Sequence, residues 1–206
     1  MHFIVLSSSR GTTFQAVLDA LKDGTLTATC LGLVTDAPDR PCIGKAQAAK
    51  LPVQIVGRAK VEDRGAFDQR VDGAVRALAQ EGDNPPGVLL AEMGWMWIHT
   101  PWFIRTWKNR ILNVHPALLP KYGGRGMYGD HVHAAVLKAG ERLSGATIHL
   151  MDEGVDTGPI LLQETCGVGP GETPETLKAK VQEIEKKLYP AALQMIETGE
   201  IQLPKP

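Results

Sequence analysis

Phe3-Ile4-Val5-Leu6 is a short apolar run that ends in Ser7-Ser8-Ser9-Arg10-Gly11-Thr12-Thr13. Such a run without alternation predicts a strand buried on both faces, delivered into a turn of small residues. Phe14, Val17, Leu18 and Leu21 then recur at helical spacing until Gly24 ends the pattern. Residues 30–34 predict a second strand, 43–50 a short helix and 52–56 a third strand. Phe67, Val71, Val75 and Leu78 mark an amphipathic helix over residues 63–80. Gly82-Asp83-Asn84-Pro85-Pro86 breaks it before a fourth strand at 87–91.

This alternation predicts an α/β fold: a doubly wound, mostly parallel sheet with helices on both faces. Ligands of such sheets sit at the carboxyl ends of the strands. The later chain changes character. Residues 111–115 predict another strand, 146–151 and 160–165 two strands joined by an acidic turn, and 175–201 a helix that Pro190 interrupts. No repeat, low-complexity segment or long linker divides the 206 residues, so a single domain over 1–206 is expected.

Candidate chemistry concentrates in two places. In Ile111-Leu112-Asn113-Val114-His115-Pro116, side chains two apart share a strand face, so Asn113 and His115 point together. Pro116 stops the strand directly after the histidine. In the second segment, His149 lies on a strand and Asp152, Glu153 and Asp156 on the turn that follows. An amide and an imidazolium can donate to an oxygen that becomes negative in a tetrahedral intermediate. A carboxylate can hold the histidine and move an amine's proton. No serine or cysteine stands in a nucleophile setting, which favours direct attack by an amine. Taken alone, either segment also reads blandly, as a strand-end histidine on a backbone carbonyl or as a solvated acidic loop.

Asn113-Val114-His115-Pro116-Ala117-Leu118-Leu119-Pro120-Lys121-Tyr122 resembles the signature of the folate-dependent formyltransferase superfamily. Asp152-Glu153-Gly154-Val155-Asp156-Thr157-Gly158-Pro159-Ile160 is similar to its second motif, and the resemblance runs to about Gly199. It implies a formyltransferase-like variant of the Rossmann fold, with Asn113, His115 and Asp156 as the catalytic trio. By length and layout it is nearest to members that move a formyl group from 10-formyltetrahydrofolate to the primary amine of glycinamide ribonucleotide, with no metal. Other expectations of the same scaffold are formylation of an amino sugar nucleotide, hydrolysis of the formyl carrier by a deformylase, and a catalytically inert folate- or nucleotide-binding module. A transfer-RNA formyltransferase would carry a further domain and a basic surface.

The resemblance also assigns the two ligands. The ribonucleotide phosphate falls to Gly11, Thr12 and Thr13, where the family loop Gly-x-Gly-Ser-Asn is Ser-Arg-Gly-Thr-Thr here, with Glu185 on the ribonucleotide. Read without it, the loop is either an anion site at a helix start or an ordinary turn capped by a threonine. Glu185 likewise fits a solvated helix face. The folate falls to Met96, Trp97, Ile98 and His99, with Arg64 near its tail and Asn113 and Asp152 beside it. Trp97 stands where relatives carry arginine. The alternative for the Trp95, Trp97 and Trp102 segment is core or a dimer surface. The glycine-rich stretch 121–133 reads as a lid that orders on binding, and its His131 and His133 as positioning residues before metal ligands.

Composition works mainly by exclusion. A net charge of -1 gives no long-range field for nucleic acid or an anionic membrane. Cys30, Cys42 and Cys166 form no CxxC pair, and no apolar run reaches membrane length. Met1-His2-Phe3 enters a strand without a secretion signal. The expectation is a cytoplasmic monomer or homodimer acting on small molecules.

Overall fold

The computed structural model describes residues 1–59, 61–80 and 87–205. The chain runs β1 (His2–Leu6), α1 (Thr12–Asp23), β2 (Thr29–Thr35), α2 (Cys42–Ala48), β3 (Val53–Ile55), α3 (Arg64–Ala79) and β4 (Val88–Glu92). It continues α4 (Pro101–Thr106), β5 (Ile111–His115), α5 (Asp130–Lys138), β6 (Leu143–Leu150), β7 (Ile160–Gly167) and α6 (Pro174–Glu197). The break expected at 82–86 lies outside the described residues.

The strands form one sheet in the order β3-β2-β1-β4-β5-β6-β7. Strands β1 to β5 pair in parallel, whereas β6 and β7 run antiparallel. Alternation along β1 divides the core in two. Phe3 and Val5 join Phe14, Val17, Leu177, Val181 and Leu188 on the face covered by α1 and α6. Ile4 and Leu6 join Phe67, Val71, Phe103 and Trp107 on the face covered by α3 and α4. Both faces of a parallel sheet are thereby buried, as its unbroken apolar strands require. The chain after β1 moves to β2 on one side, and β4 returns on the other. That reversal opens a crevice at the carboxyl ends of β1 and β4, with β5 alongside.

Two expectations need correction. Pro190 does not interrupt α6, which is continuous from Pro174 to Glu197. Val181, Ile184, Leu188, Tyr189, Ala192 and Leu193 are buried on both sides of the proline. Each buried apolar side chain contributes about 1.5–3 kcal/mol. Together they outweigh the roughly 3 kcal/mol a helix-interior proline costs. Residues 130–133 are not loop but the first turn of α5, which buries Val132 and His133. Helix α4 was not among the expected elements, although Thr100 caps it and Pro101 opens it. Strand β6 also begins earlier, at Leu143.

The turn after β6 is held by close approach. A Cβ on Gly158 would lie 1.9 Å from the Leu150 carbonyl oxygen, whose own amide donates to the Pro159 carbonyl at 2.9 Å. Gly158→Ala is therefore expected to lower stability by about 2–3 kcal/mol. The measurement is the urea midpoint; an unchanged midpoint would show that the turn yields freely.

Candidate active site

Asn113 and His115 emerge together at the end of β5, as their spacing predicts. Antiparallel pairing sets Asn113 opposite His149 and His115 opposite Thr147. The chain then turns back through Asp156, whose φ of 57° is left-handed. One carboxylate oxygen of Asp156 lies 3.4 Å from His115 Nδ1 and the other 3.7 Å from His149 Nε2. These are close electrostatic contacts rather than good hydrogen bonds. The backbone amide of Gly124 donates to Asp156 Oδ2 at 3.0 Å and fixes the carboxylate. A Cβ on neighbouring Gly123 would come within 2.6 Å of the Leu119 side-chain tip and 3.1 Å of Asp156 Cβ, so a larger residue there would have to displace them.

The ring tautomers follow from the partners. His149 Nδ1 faces the Leu150 carbonyl at 3.0 Å and must donate to it. Its Nε2 then accepts from Asn113 Nδ2 at 3.1 Å, if the ring is neutral. Burial lowers the His149 pKa and favours that neutral form. Asn113 is thereby oriented, with its second N–H free to face the cavity. His115 Nε2 donates to the Tyr122 carbonyl at 2.7 Å, which leaves Nδ1 toward Asp156 and the crevice.

The crevice is a cavity of about 610 Å³ whose lining includes Asn113, His115 and Asp156. Ser9, Arg10, Thr12 and Thr13 line it as well, together with Lys178, Gln182 and Glu185. Gly11 stands at the N-cap of α1 with φ 72°, and no side chain caps the helix. The first-turn amides of α1, with the positive end of its dipole, thus make an anion-binding end. Gly11 itself does not line the cavity; a Cβ there would lie 3.0 Å from Cys42 Cβ. Its role is to admit the turn. Thr13 Oγ1 donates to Glu185 Oε2 at 3.3 Å, which brings together two residues 172 apart in sequence. Burial pushes the Glu185 carboxyl up to about 7. Lys178 and Gln182 escaped the sequence reading, although 178, 182 and 185 follow helical spacing on one face of α6. His133, also a lining residue, is buried with its Nδ1 unpartnered among the described residues.

The segment from Met93 to Ile98 forms another part of the cavity wall and meets the loop after β1 where Ser9 Oγ donates to the Met93 carbonyl at 3.2 Å. Met96 and Ile98 are exposed there. Trp97 is fixed by donating to Asp36 Oδ2 at 2.9 Å and by Arg58, 4.5 Å above its ring. Not every residue expected on the folate lines this wall. The His99 side chain is fully buried behind it, between Glu92 and Asp68. Arg64 donates to the Ile98 and His99 carbonyls at 2.9 and 3.0 Å, bracing the wall from outside. Asp152 accepts from Gly154 N and Thr157 Oγ1 at 3.0 and 2.6 Å and organises its own turn. Among the described residues, no cluster of three or more metal-ligating side chains occurs, and no helix is long and apolar enough to cross a membrane.

Residues 1–193 match the family model described as formyl transferase, and the chain belongs to that family. It is 29% identical to the phosphoribosylglycinamide formyltransferase of Bacillus subtilis, over 94% of this chain and 93% of that one. It is 34% identical to the trifunctional purine biosynthetic protein adenosine-3 of Gallus gallus over 97% of this chain. It spans only 19% of that relative's length. The crystal structure of phosphoribosylglycinamide formyltransferase from Brucella melitensis superposes with a TM-score of 0.81 at 32% identity, covering 98% of each chain.

The raised Glu185 carboxyl has a measurable consequence. A folded-state pKa above the unfolded one favours the protonated form, so its contribution is full below about 4.5 and is lost as pH rises through about 7. Glu185→Gln should therefore raise Tm at pH 8 but not at pH 4, by about 2–4 °C for each kcal/mol relieved. Equal shifts at both pH values in calorimetry would show that Glu185 ionises without cost.

Proposed function

We propose that the protein transfers the formyl group of 10-formyltetrahydrofolate to the primary amine of glycinamide ribonucleotide. What carries the reading is the convergence of Asn113, His115 and Asp156 in one cavity. The first turn of α1 and an apolar wall line that same cavity. The ribonucleotide phosphate would take the α1 amides with Arg10 and Lys178, and its ribose would lie toward Glu185. The flat folate ring would lie against the Met93–Ile98 wall, since aromatic and methionine side chains suit a heteroaromatic face. The relatives' names support phosphoribosylglycinamide as the formyl acceptor.

In this reading the amine nitrogen attacks the formyl carbon and forms a new C–N bond. The carbonyl oxygen becomes an alkoxide, met by the free N–H of Asn113 and by protonated His115 Nδ1. Asp156 holds that imidazolium and takes the amine proton, directly or through water. The bond from carbon to folate nitrogen then breaks, the proton goes to that nitrogen, and tetrahydrofolate and the formamide leave. No covalent enzyme intermediate is needed. The reading treats residues 1–206 as one cytoplasmic domain acting on small molecules, with folate as co-substrate rather than resident cofactor.

Incubation with both substrates should give a ribonucleotide heavier by one formyl group. Free formate without that product would instead identify a deformylase. His115→Ala and Asp156→Asn should each lower kcat by about 10²–10³ or more while the circular dichroism spectrum is preserved. Near-normal turnover by either variant would remove that residue from the trio.

A further inference from the structure

Behind the apolar wall lies a buried charged cluster that the reaction as written does not use. Glu92, the last residue of β4, and His99 bracket the segment that forms the wall. His99 Nε2 is 2.6 Å from Glu92 Oε1, and Nδ1 is 3.0 Å from Asp68 Oδ1 on α3. A neutral imidazole has one N–H, so it cannot donate to carboxylates at both nitrogens; the cation can. The ring is stacked between Phe103, 4.1 Å away at 10°, and Trp95, 6.1 Å away at 13°. Asp68 also accepts from the Thr100 amide and hydroxyl at 2.6 and 2.7 Å, tying the cluster to the start of α4.

We infer that His99 is a positioning residue for folate: an imidazolium clamp that closes the neck of the 93–98 segment and fixes the wall on which the ring rests. This rests on the formyl-transfer reading. The mechanical case is direct. Met93 to Ile98 span from Glu92 to His99, so the Glu92–His99 contact cross-links the two ends of the wall-forming segment. The Arg64 contacts to the Ile98 and His99 carbonyls add a second brace on the same end. Glu92 itself also lines the cavity, so the clamp reaches the folate side without an intermediary. The charged groups facing the ring are Glu92 from β4 and Asp68 from α3, while α4 offers Phe103 and the wall offers Trp95. Burial opposes the charge, and the two carboxylates overcome it, holding His99 at about 9.

The test compares the intact protein with His99→Leu. The KM for 10-formyltetrahydrofolate should rise about tenfold while the KM for glycinamide ribonucleotide stays within about twofold. In the intact protein the folate KM should also climb as pH passes about 9, and in His99→Leu that limb should be absent. Equal changes in both KM values, or none, would overturn the proposal. Nitrogen NMR of the unmodified protein gives an answer even if His99→Leu does not fold. Both ring nitrogens of His99 should carry protons at pH 7, and a singly protonated ring would overturn the clamp. If the intact protein formylates nothing, the functional reading fails on its own, and the ring's protonation still reports on the clamp.

Discussion

Antiparallel pairing of β6 against β5 is the constraint from which the site follows. A further parallel strand would have run alongside β5 and left the chain at the same carboxyl edge. The reversal instead sets His149 across from Asn113 and carries β6 on to Leu150, opposite Leu112, so the chain leaves beside the start of β5. The following turn has only a few residues in which to bring Asp156 back over His115. It does so through a left-handed residue and through the glycine that lets the turn lie on the Leu150 carbonyl. The sheet thus sets the separation of the polar groups, and the turn only trims it.

Two buried histidines within this frame show how partners choose protonation. His149 meets a carbonyl and an amide donor, and burial keeps it neutral. His99 meets two carboxylates and is held as a cation. The side chain is the same in both cases. What differs is whether the second nitrogen faces a donor or a close anion.

Much of this was legible in the chain. Unbroken apolar runs and period-3.6 patterns placed β1, α1, β4 and α3, and the two-residue spacing of Asn113 and His115 placed them on one face. Proline after His115 located the strand end. The rest depended on distance in sequence. Nothing local marks Glu92, His99 and Asp68 as partners, because they become neighbours only when α3 packs on the sheet. The burial of the His99 side chain between Glu92 and Asp68 was therefore not legible in the sequence. Helix α5 was hidden by glycines and alternating histidines, and the continuity of α6 through Pro190 is a tertiary effect that local propensity opposes. Lys178 and Gln182 were recoverable in principle, since their spacing to Glu185 puts all three on one helical stripe.

The amide of Gly124 that steadies Asp156 belongs to the same stretch, Gly124 to Gly129, that borders the cavity. The placement of that rim and the orientation of the carboxylate are therefore mechanically linked. A displacement of that rim wide enough to widen the entrance also withdraws a donor from Asp156.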